Sequence, residues 1–286
     1  MVLIETLSSR RDVHARVAAW RRAGLTVGFV PTMGALHEGH LSLCRASKAV
    51  CDRTVASIFV NPLQFGPNED LARYPRPLER DRALLASVGA DALYLPATEE
   101  MYPPDARTTV SQTGAADRLC GAFRPGHFAG VATVVAKLFQ QVRPDRAFFG
   151  RKDYQQTVVL RRMVRDLDFD LDLEIRVEPT VREPDGLALS SRNVYLTPDE
   201  RRRAPAIKAG LDAACAAFAA GVRDPAALAA RVRATLDAAG GFELQYAELC
   251  DPDDLAPRVD AARPGDVLLV AAFLGRTRLI DNETLR

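Results

Sequence analysis

The sequence lacks the cysteine patterns that mark disulfide-rich or zinc-binding proteins. Its five cysteines form no CxxC pair; they are Cys44, Cys51, Cys120, Cys215 and Cys250. Zinc ribbons and disulfide frameworks both depend on regularly spaced cysteines. An unpaired cysteine, by contrast, is most often a small buried hydrophobic residue. We therefore expect buried free thiols in a reducing compartment.

An excess of charge and a long apolar run are missing as well. Lysine and arginine number 38 and aspartate and glutamate 37, giving a net charge of +1, so neither a nucleic acid nor a membrane surface is expected as a partner. The longest apolar run, Val267–Leu274, is far too short to cross a bilayer core of about 30 Å. The first residues, MVLIET, show no basic leader followed by an apolar core, so no signal peptide is predicted. These features predict a cytoplasmic globular protein.

Strand-like and helix-like segments alternate through the first part of the chain. Helices are predicted after Ser8 or Ser9, after Gly39, and at 78–88, 128–142 and 157–167, and strands at 27–30, 54–60, 91–96, 145–149 and 171–177. Such alternation indicates a parallel sheet covered by helices on both faces. The predicted fold class is α/β, with a Rossmann-like sheet.

The pattern changes near residue 182, where we place a boundary between a Rossmann-like domain, 1–181, and a smaller α+β domain, 182–286. Thr197-Pro-Asp-Glu200 has the spacing of a capping box and begins the first of two alanine-rich helices. These helices are predicted at roughly 199–220 and 225–239, and strands at 242–249, 267–273 and 278–280. The three strands predict a small antiparallel sheet.

The stretch that begins at Val27 carries the strongest functional signal. A buried-strand run is followed by Gly34 and then by an amphipathic helical pattern. A strand, a glycine-bearing turn and a helix start present free backbone N–H groups and a positive dipole end to a phosphate. His37 and His40 lie at that helix start, where they could stabilise charge on a phosphate chain. Their spacing differs from that of HExxH zinc proteases, and we interpret the stretch as a nucleotide site.

Two further turns carry charged or hydroxyl side chains. In Gly150–Asp153, between a predicted strand and a helix, Lys152 could reach phosphates as a point charge and Asp153 could accept a ribose hydroxyl or cap the helix. In 190–193 two serines precede Arg192, and a guanidinium binds phosphate through two parallel hydrogen bonds. Taken alone, each turn is better explained as an ordinary solvated turn.

Gln64 and Gln156 each lie just beyond a predicted strand. Their amides both donate and accept hydrogen bonds, which suits a substrate with hydroxyls and a carboxylate, although loop polarity alone would also explain them. In open α/β sheets the ligand lies at the carboxyl ends of the strands, where the strand order reverses. We therefore expect these turns to converge on one ligand, and this convergence supports the interpretation more than any single motif does.

Several motifs resemble those of a known family. PTMGALHEGH (31–40) is similar to the HIGH signature of the nucleotidyltransferase superfamily that includes class I aminoacyl-tRNA synthetases, and SSRN (190–193) resembles the counterpart of their KMSKS loop. The wider set matches the pantothenate synthetase (pantoate–β-alanine ligase) family in the family's own order. It adds SIFVNPLQF (57–65), DLARYPR (70–76), RPGHFAGV (124–131), GRKDYQQ (150–156) and DGLALSSRN (185–193).

The resemblance implies a homodimeric ligase that uses ATP and Mg²⁺ to join pantoate to β-alanine through a pantoyl adenylate, releasing AMP and pyrophosphate. It implies catalytic roles for His40, His37, Lys152 and Arg192 and pantoate binding by Gln64 and Gln156. The residues implied in ATP binding are Met33, Gly34, Ala35, Leu36, His37, Glu38, Gly39, His40, Gly150, Arg151, Lys152, Asp153, Val181, Leu189, Ser190, Ser191 and Arg192. The family commonly has glutamate at the position of Arg151. The resemblance therefore implies a contact with ATP for the backbone of Arg151 and not for its side chain. The SSRN turn and the segment 62–75 are candidate lids.

The residues leave three alternatives open. A sister nucleotidyltransferase acting on a phosphorylated acceptor would share the first turn and the sheet but should lack the two glutamines. A nucleotide-binding regulator would bind ATP without turnover. A metal hydrolase using His37, His40 and His127 is the weakest alternative, because no carboxylate or thiolate is spaced to complete the site. His127 is more simply a helix-start or loop-packing residue, and His14 a surface residue.

Overall fold

A six-stranded parallel sheet and a three-stranded antiparallel sheet organise the chain in the computed structural model, which describes residues 4–67 and 69–286. The parallel strands are β1 (Glu5–Leu7), β2 (Val27–Thr32), β3 (Arg53–Ile58), β4 (Ala92–Tyr94), β5 (Arg146–Gly150) and β6 (Glu174–Glu178), and the antiparallel ones β7 (Phe242–Cys250), β8 (Val267–Leu274) and β9 (Thr277–Thr284). The helices are α1 (Arg10–Arg22), α2 (Glu38–Val50), α3 (Leu78–Ser87), α4 (Thr98–Met101), α5 (Cys120–Phe123), α6 (His127–Val142), α7 (Tyr154–Asp166), α8 (Pro198–Arg203), α9 (Ala206–Ala219) and α10 (Pro225–Ala239). The predicted α/β class, with a Rossmann-like sheet and a smaller α+β part, is confirmed.

The order of the parallel strands places a crevice at the middle of the sheet. The order is β1-β4-β3-β2-β5-β6, and every pairing is parallel. From β2 the chain moves outward through β3 and β4, and then crosses to the other side of β2 to add β5 and β6. The strand order therefore reverses between β2 and β5, which is where open α/β sheets bind their ligands.

Burial on both faces explains why the central strands read as continuous apolar runs. Val27, Phe29 and Val30 of β2 are completely buried, and α6 buries most of its length against the sheet. A parallel strand covered by helices on both faces has no solvent side on which polar residues could alternate. The strand that ends at the candidate site is thus held rigidly from both sides.

The antiparallel sheet is also covered on both faces. Along β8, Leu268 and Val270 pack into the cluster formed with α9 and α10, whereas Val267 and Leu269 join the core of the parallel-sheet half. Successive side chains of a strand point to opposite faces, so one strand can serve two cores. The two halves of the chain are therefore joined through a shared apolar interface.

The observed elements differ from the predicted ones in several places. The helix predicted at 199–220 is two helices, because Pro205 lacks a backbone N–H and its ring clashes with the preceding turn. Strand β1 was not predicted, since it has only three residues and forms by pairing with β4 at the sheet edge. Strand β6 starts at Glu174 rather than 171, because Phe169–Leu171 forms a 3-10 turn. The predicted caps at Ser9 and at Thr197 with Glu200 are confirmed.

The structure bears out the expectation of free, mostly buried thiols. All five cysteines are free thiols, four of them buried and Cys215 half-buried. Within the described ranges, no helix is both long and apolar enough to cross a membrane.

Gly28 provides a test of how tightly α2 packs on the sheet. A Cβ at Gly28 would lie 2.0 Å from Ser47 Oγ, whose buried hydroxyl is 2.7 Å from Thr54 Oγ1. Gly28→Ala should break this hydrogen bond and overpack the contact, lowering the free energy of unfolding by about 1–3 kcal/mol in urea denaturation. Gly150 is the matched control, because its φ is −83° and a Cβ at this position would have nothing within 4 Å. An equal decrease in the free energy of unfolding in Gly28→Ala and Gly150→Ala would contradict the prediction.

Candidate active site

A cleft with a volume of about 240 Å³ opens beyond the carboxyl ends of β2, β3, β5 and β6. The predicted site residues that line it are Met33, His37, Gly39, His40, Gln64, Gly150, Lys152, Asp153, Gln156, Val181, Leu189, Ser190, Ser191 and Arg192. The three turns singled out in the sequence therefore meet at the place where the strand order reverses.

Five of the residues implied in ATP binding lie outside the cleft lining: Gly34, Ala35, Leu36, Glu38 and Arg151. The Leu36 side chain is 1% exposed and belongs to the core. Glu38 pairs with Arg45 on the surface, and the Arg151 side chain bonds to Thr284 of β9. The side chains of these three residues point away from the cleft, so only their backbone atoms stay candidates for ligand contact.

The protein itself satisfies the backbone N–H groups of Gly34, Ala35 and Leu36, so the prediction that the first turn offers free N–H groups to a phosphate is wrong for these three residues. Gly34 N donates to Thr32 Oγ1 at 3.1 Å. Ala35 N and Leu36 N donate to the two carboxylate oxygens of Asp81, each at 2.8 Å. Asp81 is 1% exposed and comes from α3, so its buried carboxylate fixes the turn.

His37 and His40 cap the start of α2 for each other. Gly39 N donates to His37 Nδ1 at 3.2 Å, and His37 N donates to His40 Nδ1 at 3.3 Å. Because a backbone N–H can only donate, both Nδ1 atoms carry lone pairs, and each neutral ring has its proton on Nε2. The two rings lie 4.1 Å apart between centroids and line the cleft.

The electrostatics of the site keep both rings neutral. Burial, and then the charge of Lys152, lowers the pKa of His37 to about 4. Burial, followed by the neighbouring His37 and Lys152, lowers the pKa of His40 well below its usual value. Both residues are nevertheless only half-buried and line the cleft. At neutral pH both histidines are therefore Nε2–H donors.

Lys152, Asp153 and Gln156 reach the cleft without engaging other side chains. None of the three forms a side-chain hydrogen bond or ion pair with any residue that the structure describes. The alternative hypothesis that Asp153 caps the helix is wrong, because its carboxylate accepts no hydrogen bond from the start of α7. An ammonium, a carboxylate and an amide are thus free to bind a ligand.

The SSRN turn contacts the opposite wall of the cleft. Ser191 Oγ donates to Ala35 O at 3.0 Å. Arg192 donates from Nε and Nη2 to the carboxylate of Asp70, at 3.0 and 2.9 Å, and its guanidinium lies over the rings of Phe65 and Tyr74. The two segments considered as lids therefore already touch, and the Nη1 atom of Arg192 has no hydrogen-bond partner among the described residues.

Asn61 is a site residue that sequence reasoning missed. It is 1% exposed, accepts from Tyr102 Oη at 2.8 Å, and donates to Gly130 O and to Gln64 Oε1, both at 3.1 Å. Since the Gln64 oxygen is occupied, Gln64 presents its NH₂ group, which is 3.1 Å from the weak acceptor Met33 Sδ. The only sequence signal was an Asn-Pro pair after a strand, which is equally typical of an ordinary turn.

Fold and site together define the class of protein. The cleft lies where the strand order of the parallel sheet reverses, and it is lined by neutral imidazole donors, a lysine, an arginine and two amides. These features are typical of an α/β protein that binds an anionic small molecule with further polar groups.

Comparison with known proteins gives the family. The model of the family described as pantoate-beta-alanine ligase matches residues 5–284. Pantothenate synthetase 1 of Bradyrhizobium diazoefficiens is 53% identical over 282 residues, which cover 99% of this chain and 98% of that protein. The crystal structure of pantothenate synthetase from Thermus thermophilus superposes with a TM-score of 0.91 at 47% identity, covering 99% of both chains. The chain belongs to the pantoate–β-alanine ligase family.

A second solved structure is relevant to the ligands. It is that of pantoate-beta-alanine ligase from Francisella tularensis, complexed with beta-gamma ATP and beta-alanine. Its TM-score is 0.79 at 34% identity, with 98% of this chain and 97% of that chain covered.

The lowered histidine pKa values predict a pH-dependent stability. An unfolded histidine binds a proton below about 6.5, whereas burial holds the folded pKa of His37 near 4. Between these values the unfolded chain binds more protons, so the free energy of unfolding should fall as the pH is lowered through this window, by up to about 1.4 kcal/mol per pH unit for one histidine. Urea denaturation across the window measures this slope. His37→Gln should reduce it, and an identical slope in both proteins would contradict the assignment.

Proposed function

We propose that this chain joins pantoate to β-alanine with consumption of ATP, through a pantoyl adenylate, releasing AMP and pyrophosphate. Membership of the ligase family supports the reaction. One observation carries the proposal, which is that four side chains suited to phosphate and two amides meet in one cleft: His37, His40, Lys152, Arg192, Gln64 and Gln156.

The first step needs charge neutralisation more than a base. The carboxylate of pantoate, with an ordinary pKa near 4, is already ionised at neutral pH. Its attack on the α-phosphate of ATP requires alignment and relief of the repulsion between two anions. His37 and His40 supply neutral Nε2–H donors, and Lys152 and Arg192 supply positive charge. Because each Nδ1 is occupied by the helix cap, the histidines act as hydrogen-bond donors rather than as proton acceptors.

The triphosphate is assigned to the region between the first turn, the Gly150–Asp153 turn and the SSRN turn. The contacts come from the cleft-lining members of the implied ATP set, while Gly34, Ala35, Leu36, Glu38 and Arg151 contribute main-chain atoms at most. Arg192 can offer Nη1 to a phosphate oxygen while its other nitrogens stay on Asp70.

The residues present fit a Mg²⁺ ion that arrives with the nucleotide. In proteins Mg²⁺ is typically held by substrate phosphates and one or two carboxylates. The described residues contain no group of three or more metal-binding side chains, and Asp153 is the carboxylate among them that lines the cleft. Asp153 and the phosphates would therefore hold the ion, which lowers the negative charge on the phosphates.

Pantoate is assigned to the two amides. Gln64 presents its NH₂ group because Asn61 occupies its oxygen, so it suits an acceptor such as a carboxylate or hydroxyl oxygen. Gln156 has no protein partner among the described residues and can both donate and accept. Gln64 is also assigned to the neighbourhood of β-alanine.

In the second step β-alanine, whose ammonium first loses a proton to solvent, attacks the acyl carbon as the free amine. The bond between the acyl carbon and the phosphate oxygen breaks, AMP leaves with its electron pair, and the nitrogen loses a second proton as the amide forms. The intermediate is an acyl phosphate anhydride that water would hydrolyse, so the cleft must be covered during the reaction. The SSRN turn provides the cover, held by Ser191 on Ala35 and by Arg192 on Asp70. We include in the proposal that residues 182–286 form the lid domain, that the enzyme is a homodimer, and that it acts in the cytoplasm.

His40→Ala tests the donor role. Loss of one preorganised donor to a developing negative charge costs about 10²–10³ in rate, so pantoate-dependent exchange of labelled pyrophosphate into ATP should fall by at least this factor. His14→Ala is the matched control, because His14 is exposed on α1. Exchange at a near wild-type rate in His40→Ala would refute the role.

Gln156→Ala tests the pantoate assignment. Removing an amide that binds the substrate should raise the KM for pantoate by about tenfold, because the loss of one hydrogen bond weakens binding by about that factor. The KM for ATP should change much less, because the amide does not face the triphosphate in the proposed arrangement. Steady-state kinetics with each substrate varied in turn measures the difference, and equal rises in the two KM values would count against the assignment.

A further inference from the structure

Two side chains from the segment that starts α6 converge on the main-chain oxygen of Gln64. His127 Nδ1 lies 2.8 Å from this oxygen, and Arg124 Nη2 lies 3.1 Å from it. Neither contact uses the side-chain amide of Gln64, which lines the cleft. The loop is thus held through its backbone, and the amide remains available to a ligand.

The partners of His127 determine its tautomer. A carbonyl oxygen can only accept, so the proton lies on Nδ1, and Nε2 accepts from Arg124 Nη1 at 3.1 Å. Burial, and then the charge of Arg124, lowers the pKa of His127 to about 4, with Glu69 and Arg278 as the other charged groups near the ring. The ring is therefore neutral at physiological pH, in the tautomer opposite to that of the two histidines of the α2 cap.

All five N–H groups of Arg124 have partners within the protein. Nε and one Nη2 hydrogen go to the carboxylate of Glu69, and the other Nη2 hydrogen goes to Gln64 O. Nη1 donates to His127 Nε2 and faces Cys120 Sγ at 3.9 Å. Arg124 and His127 both line the cleft, yet they have no N–H donor left for a ligand. Such an arrangement holds a neighbour in place rather than binding a substrate.

Helix α6 touches the same loop at a second point. A Cβ on Gly130 would lie 2.3 Å from Leu63 O and 2.8 Å from Gln64 N, so the helix and the loop meet backbone to backbone. Asn61 Nδ2 also donates to Gly130 O, at 3.1 Å. The backbone on both sides of the Gln64 amide is therefore fixed against one rigid helix.

We propose that Arg124 and His127 are positioning residues for pantoate binding, acting through the main-chain oxygen of Gln64. The inference rests on the proposed function, in which the Gln64 amide binds pantoate. A group whose geometry is fixed in advance loses less conformational freedom on binding and keeps its hydrogen bonds aligned. Because the pair acts on Gln64 and not on the triphosphate region, its loss should affect pantoate and spare ATP.

Two substitutions of similar size separate this role from a general structural one. In His127→Asn the amide nitrogen takes about the place of Nδ1 and can still donate to Gln64 O, whereas in His127→Gln the amide reaches towards the place of Nε2. We expect His127→Gln to raise the KM for pantoate about tenfold and to change that for ATP less than about twofold, with His127→Asn within about threefold of the wild type for both. Arg124→Lys keeps the charge but cannot donate hydrogen bonds to Glu69 and to Gln64 O at the same time. Its KM for pantoate should therefore rise as in His127→Gln.

The outcomes are distinguishable. The wild type is assayed first for pantothenate formation, with His14→Gln as the control for the substitution itself. No pantothenate from the wild type would refute the proposed function. Normal turnover with an unchanged pantoate KM in His127→Gln and Arg124→Lys would overturn the positioning role alone. Equal rises in both KM values, or a pantoate KM as high in His127→Asn as in His127→Gln, would also overturn it.

Discussion

The site depends on the reciprocal cap that His37 and His40 form at the start of α2. A helix start normally offers its free backbone N–H groups directly to an anion. Here the N–H groups of His37 and Gly39 go to the two Nδ1 atoms, and the rings in turn offer Nε2–H to the cleft. The cap fixes the tautomer and the place of both donors before any ligand arrives, which is the condition for efficient stabilisation of charge that develops during a reaction.

The same principle explains why the histidines of one cleft have different roles. His37 and His40 meet backbone donors, so their protons lie on Nε2, whereas His127 meets a backbone acceptor, so its proton lies on Nδ1. All three have pKa values lowered first of all by burial. Their charge is therefore the same at neutral pH, and the backbone group that each one contacts decides where its remaining N–H points.

Local patterns are sufficient to predict five of the six parallel strands and the convergence of the three turns. Buried strands, glycine turns and capping residues are each encoded within a few residues, and the topology rule for parallel sheets brings the strand ends together. The side chains that support the site were not predictable in this way. Asp81 contacts the first turn from α3, and Asn61 contacts Gly130 across 69 residues of sequence. A motif also does not reveal which of its members face inwards. In the turn before α2 the side chain of Leu36 enters the core, whereas that of Glu38, the first residue of α2, lies on the surface. The break at Pro205 is predictable in principle, because a proline inside a helix interrupts it. The alanine-rich pattern on both sides nevertheless favours a single continuous helix.

The double-sided burial of β8 limits how the cleft can open. If the whole C-terminal half swung away, Val267 and Leu269 would be exposed to water, at a cost of roughly 25 cal/mol for each Å² of apolar surface. The turn that carries Ser191 and Arg192 is attached to the opposite wall by hydrogen bonds to Ala35 and Asp70 and by the Arg192 guanidinium over the rings of Phe65 and Tyr74. Within the proposed lid domain, movement of this turn therefore exposes less apolar surface than a swing that carries β8 with it. A chain truncated before β8 would leave the parallel-sheet half with an uncovered apolar face, and such a fragment would tend to aggregate instead of folding as a minimal enzyme.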